Sequence, residues 1–157
     1  MKQITPAMMA ELVRQAQASP RRRANLNVHA HLDEPVQRLA IAMEPDTYIR
    51  PHRHPHTWEL LLPLAGRFAV LHFDEAGALT GRTLLGDDCL LSETPAGGWH
   101  AVLSLDPGAV IFEVKQGPYQ PIADADCAPW SPAADSPRAA ALVAWYAVAR
   151  QGERWPG

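Results

Sequence analysis

Cysteine is nearly absent from this 157-residue chain: Cys89 and Cys127 stand far apart and form no C-x-x-C pair. In a chain with no secretory leader, two such residues are expected to be reduced thiols. The first residues, MKQITPAMMAELVRQAQ, contain no apolar core of the kind a leader needs. No long hydrophobic run follows either. The longest, residues 139–149, is bounded by Arg138 and Arg150, and a bilayer span takes about 20 apolar residues. A cytoplasmic location with no membrane contact is the resulting expectation. Charge of one sign is also missing. The net charge is −3 and the pI about 6.1, so nothing points to nucleic acid or an anionic membrane as partner. The single basic run, Arg21-Arg22-Arg23, is short and is read as a solvated strand start. There is no internal repeat and no low-complexity tract.

What is present is proline: 15 residues of it, against 47% apolar and 20% charged residues. That mixture suits one globular domain of strands joined by turns rather than a long-helix fold. Thr5-Pro6 is a helix start, with Met8, Met9, Leu12, Val13 and Ala16 at helical spacing and Ser19-Pro20 as the stop, giving a helix over about 5–18. From Arg21 the period becomes two. Leu26, Val28 and Ala30 alternate with Asn25, Asn27, His29 and His31. Further strands are expected over 36–43, 48–54, 58–64, 68–73, 80–85, 89–93, 99–105 and 109–115. An Asp74-Glu75-Ala76-Gly77 loop joins two of them. Even spacing of many short strands predicts an all-β sandwich or barrel core over about 21–119. A Pro- and Asp-rich strap and a second helix over about 138–150 follow, with Leu142, Trp145, Val148 and Ala149 on one side of that helix.

The chemistry concentrates in Pro51-His52-Arg53-His54-Pro55-His56-Thr57-Trp58-Glu59. On a strand, residues i and i+2 share a face, so His52 and His54 can reach one point. Glu59 sits at an odd offset, and a continuous strand would turn it away. The break at Pro55 lets a neighbouring strand return it. A fourth ligand must come from elsewhere, and His100, after the Pro95-Ala96-Gly97-Gly98 turn, is the candidate. Imidazoles with one carboxylate suit one divalent transition metal such as Zn, Fe, Ni or Mn, not Ca or Mg.

His52-x-His54-x4-Glu59-x6-Gly66 resembles the first cupin motif, and Pro95-x-Gly97-x2-His100 the second. The resemblance implies a double-stranded β-helix, or jelly-roll barrel, with His52, His54, Glu59 and His100 as the metal ligands. Asp46, Cys89 and Ser104 depart from the usual motif residues, and none is a ligand. A closer likeness is to the WbuC-like cupin-fold metalloproteins. It rests on Leu26-Asn27-Val28-His29, Val36-Gln37-Arg38-Leu39, Tyr48-Ile49-Arg50-Pro51, Phe112-Glu113-Val114-Lys115-Gln116-Gly117-Pro118-Tyr119 and Ala128-Pro129-Trp130-Ser131-Pro132. It covers most of the chain from Arg21 to Pro132. It implies a sugar-related small-molecule ligand linked to surface polysaccharide, and the general cupin resemblance implies a homodimer.

Around the four ligands, His29, Arg38, Tyr48, Arg50, His72, Glu113 and Tyr119 are candidates for the substrate pocket or for supporting the ligands. His72 either lines the barrel or lies on its surface. Arg50 shares the parity of His52 and His54, and Arg53 does not. Glu113 and Lys115 share a face and either pair or reach the pocket. The function expected is metal-dependent catalysis of the isomerase, lyase or oxygenase type on a small polar molecule, with Glu113 or His29 moving a proton. A non-catalytic ligand-binding or sensor cupin and an Fe(II) dioxygenase are the alternatives.

Overall fold

A computed structural model describes residues 1–157. Helix α1 (Pro6–Ala18) starts where Thr5 Oγ1 accepts the Met8 N–H at 3.3 Å, with Pro6 in its first turn. Eight strands follow: β1 (Arg23–Asn27), β2 (Val36–Met43), β3 (Glu59–Ala65), β4 (Phe68–Phe73), β5 (Leu79–Leu85), β6 (Ser92–Thr94), β7 (Trp99–Ser104) and β8 (Ala109–Gln116). Helix α2 (Ala139–Val148) closes the order. The strands form two antiparallel sheets, β1-β2-β8-β3-β6 and β5-β4-β7. This is the two-sheet β-sandwich of a cupin jelly roll.

Alternation decides which residues fill the space between the sheets. Leu39, Ile41 and Met43 of β2 meet Phe68 and Val70 of β4, with Val102 and Ile111, in one buried cluster. The intervening residues serve the outer layers. Ala69, Leu71 and Phe73 face α2 residues Leu142 and Tyr146, while Ala40, Ala42 and Val110 face α1 residues Leu12 and Ala16. Strands covered on both faces read as continuous apolar runs, as β4 does. Each fully buried Leu or Phe contributes about 1.5–3 kcal/mol.

Several sequence expectations need correction. Residues 48–54 are extended but form no strand; only His52 makes bridges, to His100 and to Cys127. Pro51 and Pro55 interrupt any ladder there. The strand expected at 89–93 is reduced to β6. Strand β1 ends at Asn27, and a turn replaces its expected continuation, leaving Ala30 exposed and His29 buried. On α2, Val148 points to solvent at 71% exposure, and Tyr146 takes the buried place, donating its hydroxyl to Ile49 O at 3.1 Å.

The positions that depart from the usual cupin motifs have local roles. Asp46 pairs with Arg22 at 3.1 Å, and Ser104 Oγ donates to Asp106 O at 2.9 Å. Gly86 supplies the left-handed turn residue, φ 86°, just before Cys89. The strap after β8 returns over the segment that carries the histidines. Arg53 N–H donates to Asp126 O at 2.9 Å and Ala128 N–H to Pro51 O at 2.8 Å.

Candidate metal centre

His52 reaches the barrel on an extended segment stitched to β7. His52 N–H donates to His100 O, and His100 N–H to His52 O, both at 2.9 Å. The turn at Pro55 then reverses the parity, as the spacing predicts, so Glu59 opens β3 facing the same interior. It lies between Thr94 of β6 and Lys115 of β8. His54, two residues after His52, has its carbonyl fixed by Gly97 N–H at 2.9 Å. His52, His54, Glu59 and His100 are all buried, and one ligand atom from each lies within 4.8 Å of the others.

Second contacts orient the rings. His52 Nδ1 lies 2.8 Å from Arg50 O and His100 Nδ1 lies 3.0 Å from Gly98 O. Each Nδ1–H donates to a carbonyl, so each Nε2 turns to the centre. Glu59 Oε1 sits 3.2 Å from His100 Nε2, and Oε2 sits 3.2 Å from His54 Nε2. The latter contact is not aligned as a hydrogen bond, and His54 Nε2 is a buried nitrogen with no partner. Three imidazoles, one carboxylate and an orphaned ring nitrogen converging on one point fit a divalent transition metal. The four residues could hold such an ion.

Charge balance agrees. Burial, then the charge of His100, pushes His52 down to about 3, which keeps it in the neutral form a ligand needs. Burial opposes charge on His100, but Glu59 outweighs it and raises its pKa. Burial works against the Glu59 carboxylate too, yet His100, His54 and Lys115 hold it well below the usual carboxylate range. Lys115 Nζ bridges Glu113 Oε1 at 2.6 Å and Glu59 Oε2 at 3.6 Å. Glu113 is raised, by burial first and then by the charge of Glu59.

The centre opens on a cavity of about 630 Å³ lined by His52, His54 and Glu59 together with His29, Glu113 and Tyr119. Four other candidates lie elsewhere. Arg38 pairs with Glu34. Tyr48 donates to Pro132 O at 2.8 Å. Arg50, despite its parity, donates Nε–H to Ser131 Oγ at 3.0 Å and anchors the strap. His72 faces the interior beside His100, where its Nε2 meets Thr94 Oγ1 at 3.0 Å, but it does not line the cavity. Arg53 turns outward, as expected, onto Asp126 and the face of Trp99.

Sequence reasoning did not pick out Gln37 or the part Lys115 plays beside Glu59. Both follow from register. Gln37, Lys115 and Glu59 occupy one cross-strand row, and no single strand shows that.

Two sheets folded over a buried group of three histidines and one glutamate define a cupin fold with a candidate site for a divalent metal. Residues 4–85 match the model of the family described as domain of unknown function DUF6016, and the chain belongs to that family. No curated protein matches it. Among solved structures it is similar to the TT1209 protein from Thermus thermophilus, at 19% identity over 74% of this chain and 97% of that one, TM-score 0.56. It is also similar to an oxalate oxidase in complex with the substrate analogue glycolate, at 16% identity over 68% of this chain and 57% of that one, TM-score 0.53. KdgF from Halomonas sp. is 18% identical over 65% of this chain and 83% of that one, TM-score 0.49. At these identities the likeness concerns the fold alone. No helix is long and apolar enough to cross a membrane.

Proposed function

We propose that this cupin binds one divalent transition metal through His52, His54, Glu59 and His100 and acts as a metal-dependent enzyme on a small polar molecule. A sugar or nucleotide-sugar derivative connected with surface polysaccharide is the substrate we favour, on the sequence likeness to WbuC-like proteins. The observation that carries the enzymatic reading is the opening of the four-residue group onto a cavity of about 630 Å³. A metal that only stiffened the barrel would need no such access. When bound, the ion supplies Lewis acidity toward a substrate carbonyl or hydroxyl oxygen, or toward water. The chain's own residues do the rest. The imidazoles are locked by Arg50 O and Gly98 O. Lys115 holds the Glu59 carboxylate in place and offers its ammonium to an anionic substrate group. Glu113, raised by burial, is the group suited to carry a proton at the cavity wall.

The test is elemental analysis of protein purified anaerobically without an affinity metal column. Near-stoichiometric zinc, nickel or manganese supports this reading, and sugar derivatives are then screened for turnover. Near-stoichiometric iron, with oxygen uptake dependent on substrate, shifts the reading to a dioxygenase. Metal bound without turnover of any screened compound favours a sensor or binding cupin. No metal after reconstitution, or unchanged stoichiometry in His52→Ala, His54→Ala and His100→Ala, overturns it.

A further inference from the structure

The turn after β1 brings a histidine back over the sheet. His29 is 5% exposed and lines the cavity that His52, His54 and Glu59 line. Its Nδ1 accepts the Arg38 backbone N–H at 2.9 Å. A backbone amide can only donate, so the ring proton sits on Nε2. The Arg38 carbonyl, 3.0 Å from the same nitrogen, already receives Val28 N–H at 2.8 Å. His29 Nε2 is buried and has no partner. Arg38 Nε and Trp99 Nε1 are also unpartnered, but neither residue lines this cavity. A buried donor without an acceptor calls for a physical account. Here the acceptor belongs in the cavity.

The fold places this donor opposite the metal group. His29 is held on the β1-facing edge of β2, where the Arg38 carbonyl also receives Val28 N–H, and Glu59 opens β3, so β2 and β8 both lie between them. Three strand spacings amount to roughly 14 Å between backbones, a gap that the side chains at both ends shorten. Lys115 sits in the intervening row, and Leu39 and Leu61 flank Glu113 in the next one. The cavity therefore offers a metal group at one end, an N–H at the other, an ammonium beside the path and a short apolar wall.

We propose that His29 is a specificity-determining residue whose Nε2–H receives an oxygen at the ligand end remote from the metal group. Within the sugar derivatives favoured above, the ligand class is a sugar acid, an organic anion with oxygen functions at both ends. This rests on the metal-binding reading above. It also replaces the expectation that His29 moves a proton, because Nδ1 is committed to Arg38 and Nε2 is a donor.

The test uses the full chain loaded with Mn(II) and calorimetric titration with acetate, succinate, adipate and suberate. Acetate reaches the metal alone, whereas a diacid of matching length reaches both the metal and His29. One diacid is expected to bind about tenfold or more tighter than acetate. His29→Asn keeps an acceptor for Arg38 N–H but loses the far donor, and it should abolish that preference. His29→Gln extends an N–H toward the Nε2 position and should retain more of the preference than His29→Asn. Acetate should bind all three proteins equally. If no diacid exceeds acetate, or His29→Asn binds diacids like the parent chain, the role assigned to His29 is wrong while metal binding stands. If Mn(II) does not load, the metal-binding reading fails and takes this one with it.

Discussion

His52 and His100 touch the same buried point yet are pushed in opposite directions. His52, with burial and a charged neighbour against it, falls to about 3, while Glu59 raises His100. The linkage to stability follows from the sign. A histidine depressed in the folded state stabilises the fold above its unfolded value of 6.5. That contribution is lost as the pH falls from there toward the folded value, because the unfolded chain takes up a proton that the folded chain refuses. His100 is the reverse: its contribution is complete below 6.5 and fades as the pH rises through its folded value. In metal-stripped protein, the stability difference between the parent chain and His52→Asn should therefore shift against the parent as the pH is lowered from 7 to 4. Urea midpoints at each pH measure it, and a difference independent of pH removes His52 from the acid response. The convergence of His52, His54 and Glu59 was legible in the spacing, since i, i+2 histidines and a proline break are local features, whereas His100 rested on the resemblance to the second cupin motif. His29 was visible only as a candidate, because its partner Arg38 N–H and its ring proton depend on how the turn at 28–31 folds back.

At the scale of elements, the two helices show how far periodicity carries. In α1 a polar face is present, and Leu12 and Ala16 are buried as the spacing predicts. Helix α2 reads AAALVAWYAV, apolar all round, so the pattern cannot say which side docks. The structure buries Leu142 and Tyr146 against β4 and leaves Val148 in solvent. Leu142→Ala should cost about 2–5 kcal/mol, and Val148→Ala should stay within about 0.5 kcal/mol. Chemical denaturation of the two variants separates them, and equal losses would mean that α2 docks otherwise. The alternation read through to His31 outran β1, which stops at Asn27, but the strands expected over 36–43, 58–64, 68–73, 80–85, 99–105 and 109–115 were read correctly to within a residue or two. The histidine segment was not, because extended chain between prolines looks like a strand in sequence but cannot join a ladder.

For the whole molecule, two sheets, two outer helices and a strap converge on one buried group. A ligand that binds only the folded state stabilises it by mass action. Free metal at about 100 times its dissociation constant adds about 2.7 kcal/mol, which in a chain of this size is roughly 5–11 °C in Tm. Chelation should lower Tm by that order in the parent chain and leave His54→Ala unmoved. A Tm insensitive to chelator and to added metal would disconnect the four-residue group from any ion. Charge enters at this scale as well, since the net −3 of the chain coexists with a cavity whose rim carries Arg21 and Arg23 and whose wall carries Lys115.

The strap ties these scales together. Asp126 holds Arg53 through both backbone and side chain, Cys127 bridges His52, and Ala128 holds Pro51. None of the three is near a ligand in sequence, but they splint the segment on which His52 and His54 ride. A single peptide bond cut between 119 and 125 would leave every ligand in the chain and every strand intact. It would still slacken the splint, so that the ion could be shed faster from a protein whose barrel had not unfolded.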